Sequence, residues 1–205
     1  MPIALKSLDI VVVGRFNPYI INPPWLCRMG ICKAKEAEGE VRVEIPGGRA
    51  VFHFQMDGLR WQVTDARLMV STDSVGRPPG ERVAQIIEKL PHTPISAVGH
   101  NFHYHCDIEA WKGGLPRIGD LDSRGVVAFG KPRQLSWSCA LELADLLFNM
   151  KLEQHESSLQ IDTNLHREAS EVERVVEIAK RFRDDLELSS RLIGSIAKDE
   201  VATDD

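Results

Sequence analysis

Residues 51–63 read VFHFQMDGLRWQV, and this stretch decides the fold. Phe52, Phe54 and Met56 alternate with Val51, His53 and Gln55; beyond Asp57 and Gly58, Leu59, Trp61 and Val63 alternate with Arg60, Gln62 and Thr64. A period of two marks strands with one buried face. The Asp-Gly pair tolerates the positive φ angles of a two-residue hairpin turn, so the stretch predicts two antiparallel strands.

The pattern extends to both sides. Val41, Val43 and Ile45 alternate with Arg42 and Glu44 ahead of the turn residues Pro46, Gly47 and Gly48, and Ala66, Leu68 and Val70 continue the series downstream. Together these segments predict an antiparallel meander. Further upstream, the β-branched run Ile10–Val13 within 8–16 predicts a strand buried on both faces. Pro18, Pro23 and Pro24 make 17–26 read as irregular rather than helical, and 27–32 as a short strand.

After Gly76 the period changes. Val83, Ile86, Ile87 and Leu90 recur at spacings of three and four, predicting a short helix over about 80–90 that Pro91 stops. Residues 95–106 read as a long strand, so this helix covers one sheet face. The glycine-punctuated stretch 107–132 reads as loop, and whether 112–132 closes over anything is open. Residues 138–147 fit a helix through Leu141, Ala144 and Leu147, or a strand. A second hairpin pairs the alternation of Phe148, Met150 and Leu152 with that of Leu159, Ile161 and Leu165.

Val172, Val175, Ala179, Phe182 and Leu186 then predict a long C-terminal helix over about 170–197, followed by a flexible acidic tail at 198–205. The fold class is therefore α+β: a mainly antiparallel sheet in one domain spanning 1–197, with the short and the long helix packed on one face. A straight helix of that length would run roughly 42 Å, about the diameter of the whole domain. Its apolar stripe also shifts between Phe182 and Leu188, so either it bends near 184–190 or its second half, Leu188–Ile196, is covered by another subunit.

Composition removes several function classes. Lys and Arg number 25 against 30 Asp and Glu, with no basic block, which argues against nucleic acid as a partner. The four-residue run Ile10–Val13 is too short for a signal-peptide core or a membrane span, pointing to a cytoplasmic protein. Cys27, Cys32, Cys106 and Cys139 lack a second closely spaced pair to complete a zinc motif and read as reduced, buried thiols. The glycines at 76–80 and 113–119 lack the residues of a phosphate-binding or dinucleotide loop.

Titratable chemistry concentrates in GHNFHYHCD at 99–107, which holds three of the seven histidines. On a strand, Asn101, His103 and His105 share one face, and His100, Phe102, Tyr104 and Cys106 share the other. Imidazoles two residues apart lie about 7 Å apart at Cα and can reach one metal ion. A third ligand could come from the row Asp162, Asn164 and His166, or from His53. Asp162 and His166 could also serve as an acid–base pair. No complete catalytic set is present, so the expected function is a non-enzymatic binding or assembly module without a cofactor. It would act as a homo-oligomer or with another protein, with no membrane partner. The alternative is a metal-dependent enzyme, such as a hydrolase, in which His103, His105, Asp162 and His166 hold a divalent ion such as zinc that activates water.

Overall fold

The computed structural model describes residues 3–33, 37–48, 50–111, 134–155, 157–197 and 201–202. The strands are β1 (Ile3–Gly14), β2 (Ala37–Glu44), β3 (Val51–Met56), β4 (Leu59–Val63), β5 (Arg67–Thr72), β6 (Ile95–Asp107), β7 (Gln134–Leu143), β8 (Leu146–His155), β9 (Ser158–Glu168) and β10 (Val201–Ala202). The helices are α1 (Pro23–Arg28), α2 (Gly80–Lys89), α3 (Val172–Lys180) and α4 (Phe182–Ala197). Nine strands form one sheet in the order β2-β3-β4-β5-β1-β6-β9-β8-β7, antiparallel at every step, and β10 pairs in parallel with the start of β1. The expected α+β class holds, with the long C-terminal helical segment packed against the sheet.

The order contains a repetition that the sequence does not display. A long strand (β1 or β6) is followed by a meander (β2–β5 or β7–β9) whose last strand returns to pair with it, and then by a helix (α2 or α3). The two long strands pair at the centre of the sheet, and α2 and α3 pack on each other. Gly80 permits that approach: a Cβ there would lie 2.2 Å from the Ala179 carbonyl oxygen.

Local chemistry accounts for the turns. Asp57 and Gly58 both take positive φ, 58° and 66°, and set the predicted Met56–Leu59 register. Residues 138–147 resolve into the end of β7, a tight turn and the start of β8, with Ala144 in the left-handed region at φ 48°. The carboxylate of Asp145 in this turn accepts from Arg174 and lies 3.7 Å from Nε of Arg167, tying the hairpin tip to α3 and β9.

Three local expectations are corrected. Residues 23–28 are helical because Pro23 and Pro24 occupy the first turn, where no N–H partner is needed, and Asn22 Oδ1 caps the Trp25 N–H at 3.0 Å. Residues 27–32 are not a strand: Gly30, at φ 70°, ends α1, and the Ile31 N–H donates to the Leu26 carbonyl. The C-terminal helix breaks at Arg181, ahead of the expected 184–190: α3 packs on α2 and β6, and beyond the break α4 packs on β6 and β9. In α4, Ile193 and Ala197 are buried, and Leu188, Leu192 and Ile196 are half-buried against the chain's own core. The break and this packing remove the length argument for a covering subunit.

The region 112–132 and most of 198–205 lie outside the described residues; Val201 and Ala202 pair with Ile3 and Ala4. No described helix is long and apolar enough to cross a membrane. Of the four cysteines expected to be buried, Cys32 and Cys106 are, whereas Cys27 is half-buried and Cys139, on the outermost strand β7, is exposed.

Among the described residues, α2, α3 and α4 cover one face of the sheet. From β6, Phe102 packs edge-on against Phe182 of α4, and the Tyr104 hydroxyl donates to Ser189 Oγ at 3.0 Å. His100 Nδ1 lies 2.7 Å from Asp185 Oδ2, and Arg167 of β9 grips the same carboxylate through both terminal nitrogens at 2.5 and 2.9 Å. Burial lowers the proton affinity of His100, so its neutral ring donates from Nδ1. Burial of Asp185 works the other way, but the His100 and Arg167 hydrogen bonds outweigh it and hold the carboxyl below its usual range. Asp185→Ala would strand the Arg167 guanidinium in a dry interior and is expected to cost about 3–5 kcal/mol by urea unfolding. A loss under about 1 kcal/mol would mean the ion pair does not hold α4 to the sheet.

Candidate functional site

The opposite face of the same strands is polar and half-open. On β6 the odd-numbered residues Asn101, His103 and His105 point there. Register places Asn101 beside Asp9 of β1 and Asn164 of β9, and Asn164 beside Asn149 of β8. One step along, His103 stands beside Asp162, Asp162 beside Lys151, and Lys151 beside Ser138 of β7. The two polar rows expected on separate strands are therefore adjacent and facing.

His103 is held at both ring nitrogens. Nδ1 lies 2.7 Å from Asp162 Oδ1 and Nε2 lies 3.0 Å from Asp9 Oδ2. A carboxylate only accepts, so both ring nitrogens donate and the ring is an imidazolium. The hydrogen bonds from Asp162 and then Asp9 raise its pKa to about 9 against the opposing effect of burial. For Asp162, burial pushes the carboxyl up, but hydrogen bonds from His103 and Gln160 outweigh it and leave it below the usual range.

A chain of side-chain amides runs beside this triad. Asn101 Nδ2 donates to Asp9 Oδ1 at 2.6 Å, Asn164 Nδ2 to Asn101 Oδ1 at 2.7 Å, and Asn149 Nδ2 to Asn164 Oδ1 at 3.2 Å. Its direction follows from chemistry, because the Asp9 carboxylate can only accept. Asn101 must offer it an N–H, which turns the Asn101 oxygen toward Asn164, and each amide orients the next in the same way. Asn149 is left presenting Oδ1, an acceptor, at the far end.

A cavity of about 520 Å³ opens over this floor, lined by Asn101, His103, Ser138, Asn149, Lys151, Asp162 and Asn164 among others. That volume suits a small-molecule site. Lys151 leans to Glu153, its ion-pair partner on the same strand. A second hollow of about 450 Å³ adjoins it, lined by Lys6, Ser7, His103, Tyr104, His105 and Gln160, where β1 changes register between Leu5 and Ser7. His103 forms part of both walls.

Of the expected metal ligands, the fold brings His103 and Asp162 into contact, but through a hydrogen bond that occupies the ring nitrogen. His105 stands beside Gln160 in the second hollow. His166 pairs with Gly99, four residues along β9 from Asp162 and so about 13 Å away along the strand. His53 lies on β3, four strands from β6, a separation of about 19 Å. No group of three or more His, Cys, Asp or Glu among the described residues is placed to hold a metal ion. Cys106 points to the helix side and is buried.

Sequence reasoning missed Asp9, Asn149 and Lys151. Asp9 had a readable signal, as an acid directly beside a β-branched run. No protein-family model and no curated protein matches the chain.

The raised pKa of His103 fixes the sign of a pH effect. The folded chain holds this proton to about pH 9, whereas an unfolded histidine releases it near 6.5. The stabilisation is therefore complete below pH 6.5 and is lost as pH rises through 9. With the side chain 35% exposed, screening reduces the loss to about 1–2 kcal/mol. Urea unfolding from pH 6 to pH 10 should show this extra loss in the native chain relative to His103→Gln. Parallel profiles would assign the proton elsewhere.

Proposed function

We propose that the chain is a binding module that holds a small, polar, uncharged ligand on the open face of its sheet. The observation carrying this reading is the amide ladder from Asp9 to Asn149 on the floor of the 520 Å³ cavity. Each link polarises the next, so the Asp9 charge strengthens the acceptor presented by Asn149. The ligand donates a hydroxyl or amide hydrogen to Asn149 Oδ1, and the Ser138 hydroxyl adapts as donor or acceptor beside it. Each charge on the floor has an opposite charge in contact, His103 with Asp9 and Asp162 and Lys151 with Glu153; the one carboxylate in excess disfavours an anion, and an uncharged ligand leaves these contacts intact. The side chains are held before the ligand arrives, which reduces the ordering cost of binding.

The metal-enzyme alternative keeps His103 and Asp162 as its core. It requires an ion to displace one of the two carboxylates from the imidazole and to pull off a proton held to about pH 9. Stoichiometric zinc, iron or manganese in tag-free protein by elemental analysis would favour that alternative.

The test of the binding reading is ligand-observed NMR with a library of small polyols, primary amides and nucleosides. Binders are expected, and Asn149→Ala should weaken them by about tenfold through loss of one buried hydrogen bond. Asp9→Asn, which releases the ladder's direction, should weaken the same compounds. An empty screen, or binders indifferent to both substitutions, would defeat the proposal.

A further inference from the structure

The outer strand of the first meander carries a surface the cavity does not use. β2 ends the sheet, and its outer edge pairs with no described strand. Val41 and Val43 are 40% and 47% exposed, on the face that α2, α3 and α4 cover elsewhere, and Ile45, directly after the strand, is 70% exposed. Val43 stands beside Phe52, whose ring meets that of Tyr19, itself 69% exposed. On the other face Arg42 and Glu44 lie 3.0 Å apart, with the Arg42 side chain 78% exposed.

An unpaired edge with exposed apolar side chains is a template for strand addition, and proteins that leave it unused protect it with Pro, inward charges or a covering loop. β2 is irregular between Glu38 and Arg42, which confines its regular pairing edge to the segment around Val43. That segment, Val41-Arg42-Val43-Glu44-Ile45, is self-complementary. In an antiparallel pair with a twofold axis at Val43, Val43 faces Val43 of the second copy, Val41 faces its Ile45, and Arg42 faces its Glu44. Such an axis, normal to the sheet, keeps each face on its own side. The apolar stripe thus runs on unbroken from Tyr19 and Phe52 of one copy to those of the other, while both Arg42–Glu44 contacts form on the opposite face.

We propose that two copies of this chain join edge to edge through β2, making one continuous sheet across a twofold axis at Val43. The occupant is a second copy rather than another protein because the order of apolar, basic and acidic residues about Val43 matches itself reversed. The interface lies five strands from His103, so assembly and ligand binding are separable.

Sedimentation velocity on the full chain, from 1 to 200 µM, tests this. The native protein should be a dimer that dissociates on dilution. Arg42→Glu places like charges opposite each other at two symmetric positions, as does Glu44→Arg, and each should raise the dissociation constant about tenfold or more. The double exchange Arg42→Glu with Glu44→Arg restores the opposite-charge pairs and should return it to within about threefold of native. Val43→Lys, on the axis, should give monomer. All of these positions are exposed, and an unchanged circular dichroism melt identifies the variants as folded. A native monomer at 200 µM overturns the proposal, as does a dimer insensitive to Val43→Lys or a double exchange no better than the single variants.

Discussion

A single asymmetry organises this molecule: among the described residues, α2, α3 and α4 cover one face of the sheet and leave the other open. Every strand near the centre must then satisfy two environments at alternate residues, and β6 does so most completely. Phe102, Tyr104 and Cys106 go to the dry side, and Asn101, His103 and His105 go to the wet one. A slip of one residue in its pairing with β1 or β9 would exchange the two sets and expose the apolar one. The register that builds the core is thus the same register that aligns Asp9, Asn101, Asn164 and Asn149 into a ladder.

The contrast between His100 and His103 shows how far environment outweighs identity. They are three residues apart on one strand and point to opposite faces. His100 shares its one carboxylate partner with Arg167 in a water-free interior, and desolvation keeps the ring neutral. His103 has two carboxylates to itself at the edge of solvent, and the paired hydrogen bonds keep its ring charged. The first pins α4 to the sheet, and the second gives the open face a fixed charged floor.

Strand periods and turn chemistry made most of the fold legible. The Asp57–Gly58 hairpin, the α2 helix and the alternation along β8 and β9 follow from short-range patterns. Residues 138–147 were ambiguous because Leu141, Ala144 and Leu147 happen to fall at helical spacing; the tie to α3 and β9 through Asp145 that holds the turn is tertiary. The proline-rich segment misled because Pro23 and Pro24 lie at the start of a helix, the one place where a missing N–H costs nothing. Within the site, the facing of His103 and Asp162 follows from alternation once β6 and β9 are neighbours, but that adjacency is a property of topology. Asp9 comes from a strand more than ninety residues away in sequence.

The repeated strand–meander–helix order has a kinetic side. Within each half, the strands of the meander follow one another through short turns, and its last strand closes on the long strand that precedes the meander, β5 on β1 and β9 on β6. The halves themselves meet through the β1–β6 ladder, where Leu8 lies opposite Phe102 and Val12 opposite Val98. Closing that ladder constrains a long stretch of chain before it gains any contact, the step that most slows folding in sheet proteins. Asp9 lies on one side of this seam and Asn101 and His103 on the other, so the two Asp9 hydrogen bonds form only when the halves meet, whereas His103–Asp162 and the Asn101–Asn164–Asn149 links lie within the second half. The Asp9 contacts therefore mark the joining of the two halves rather than the formation of either one.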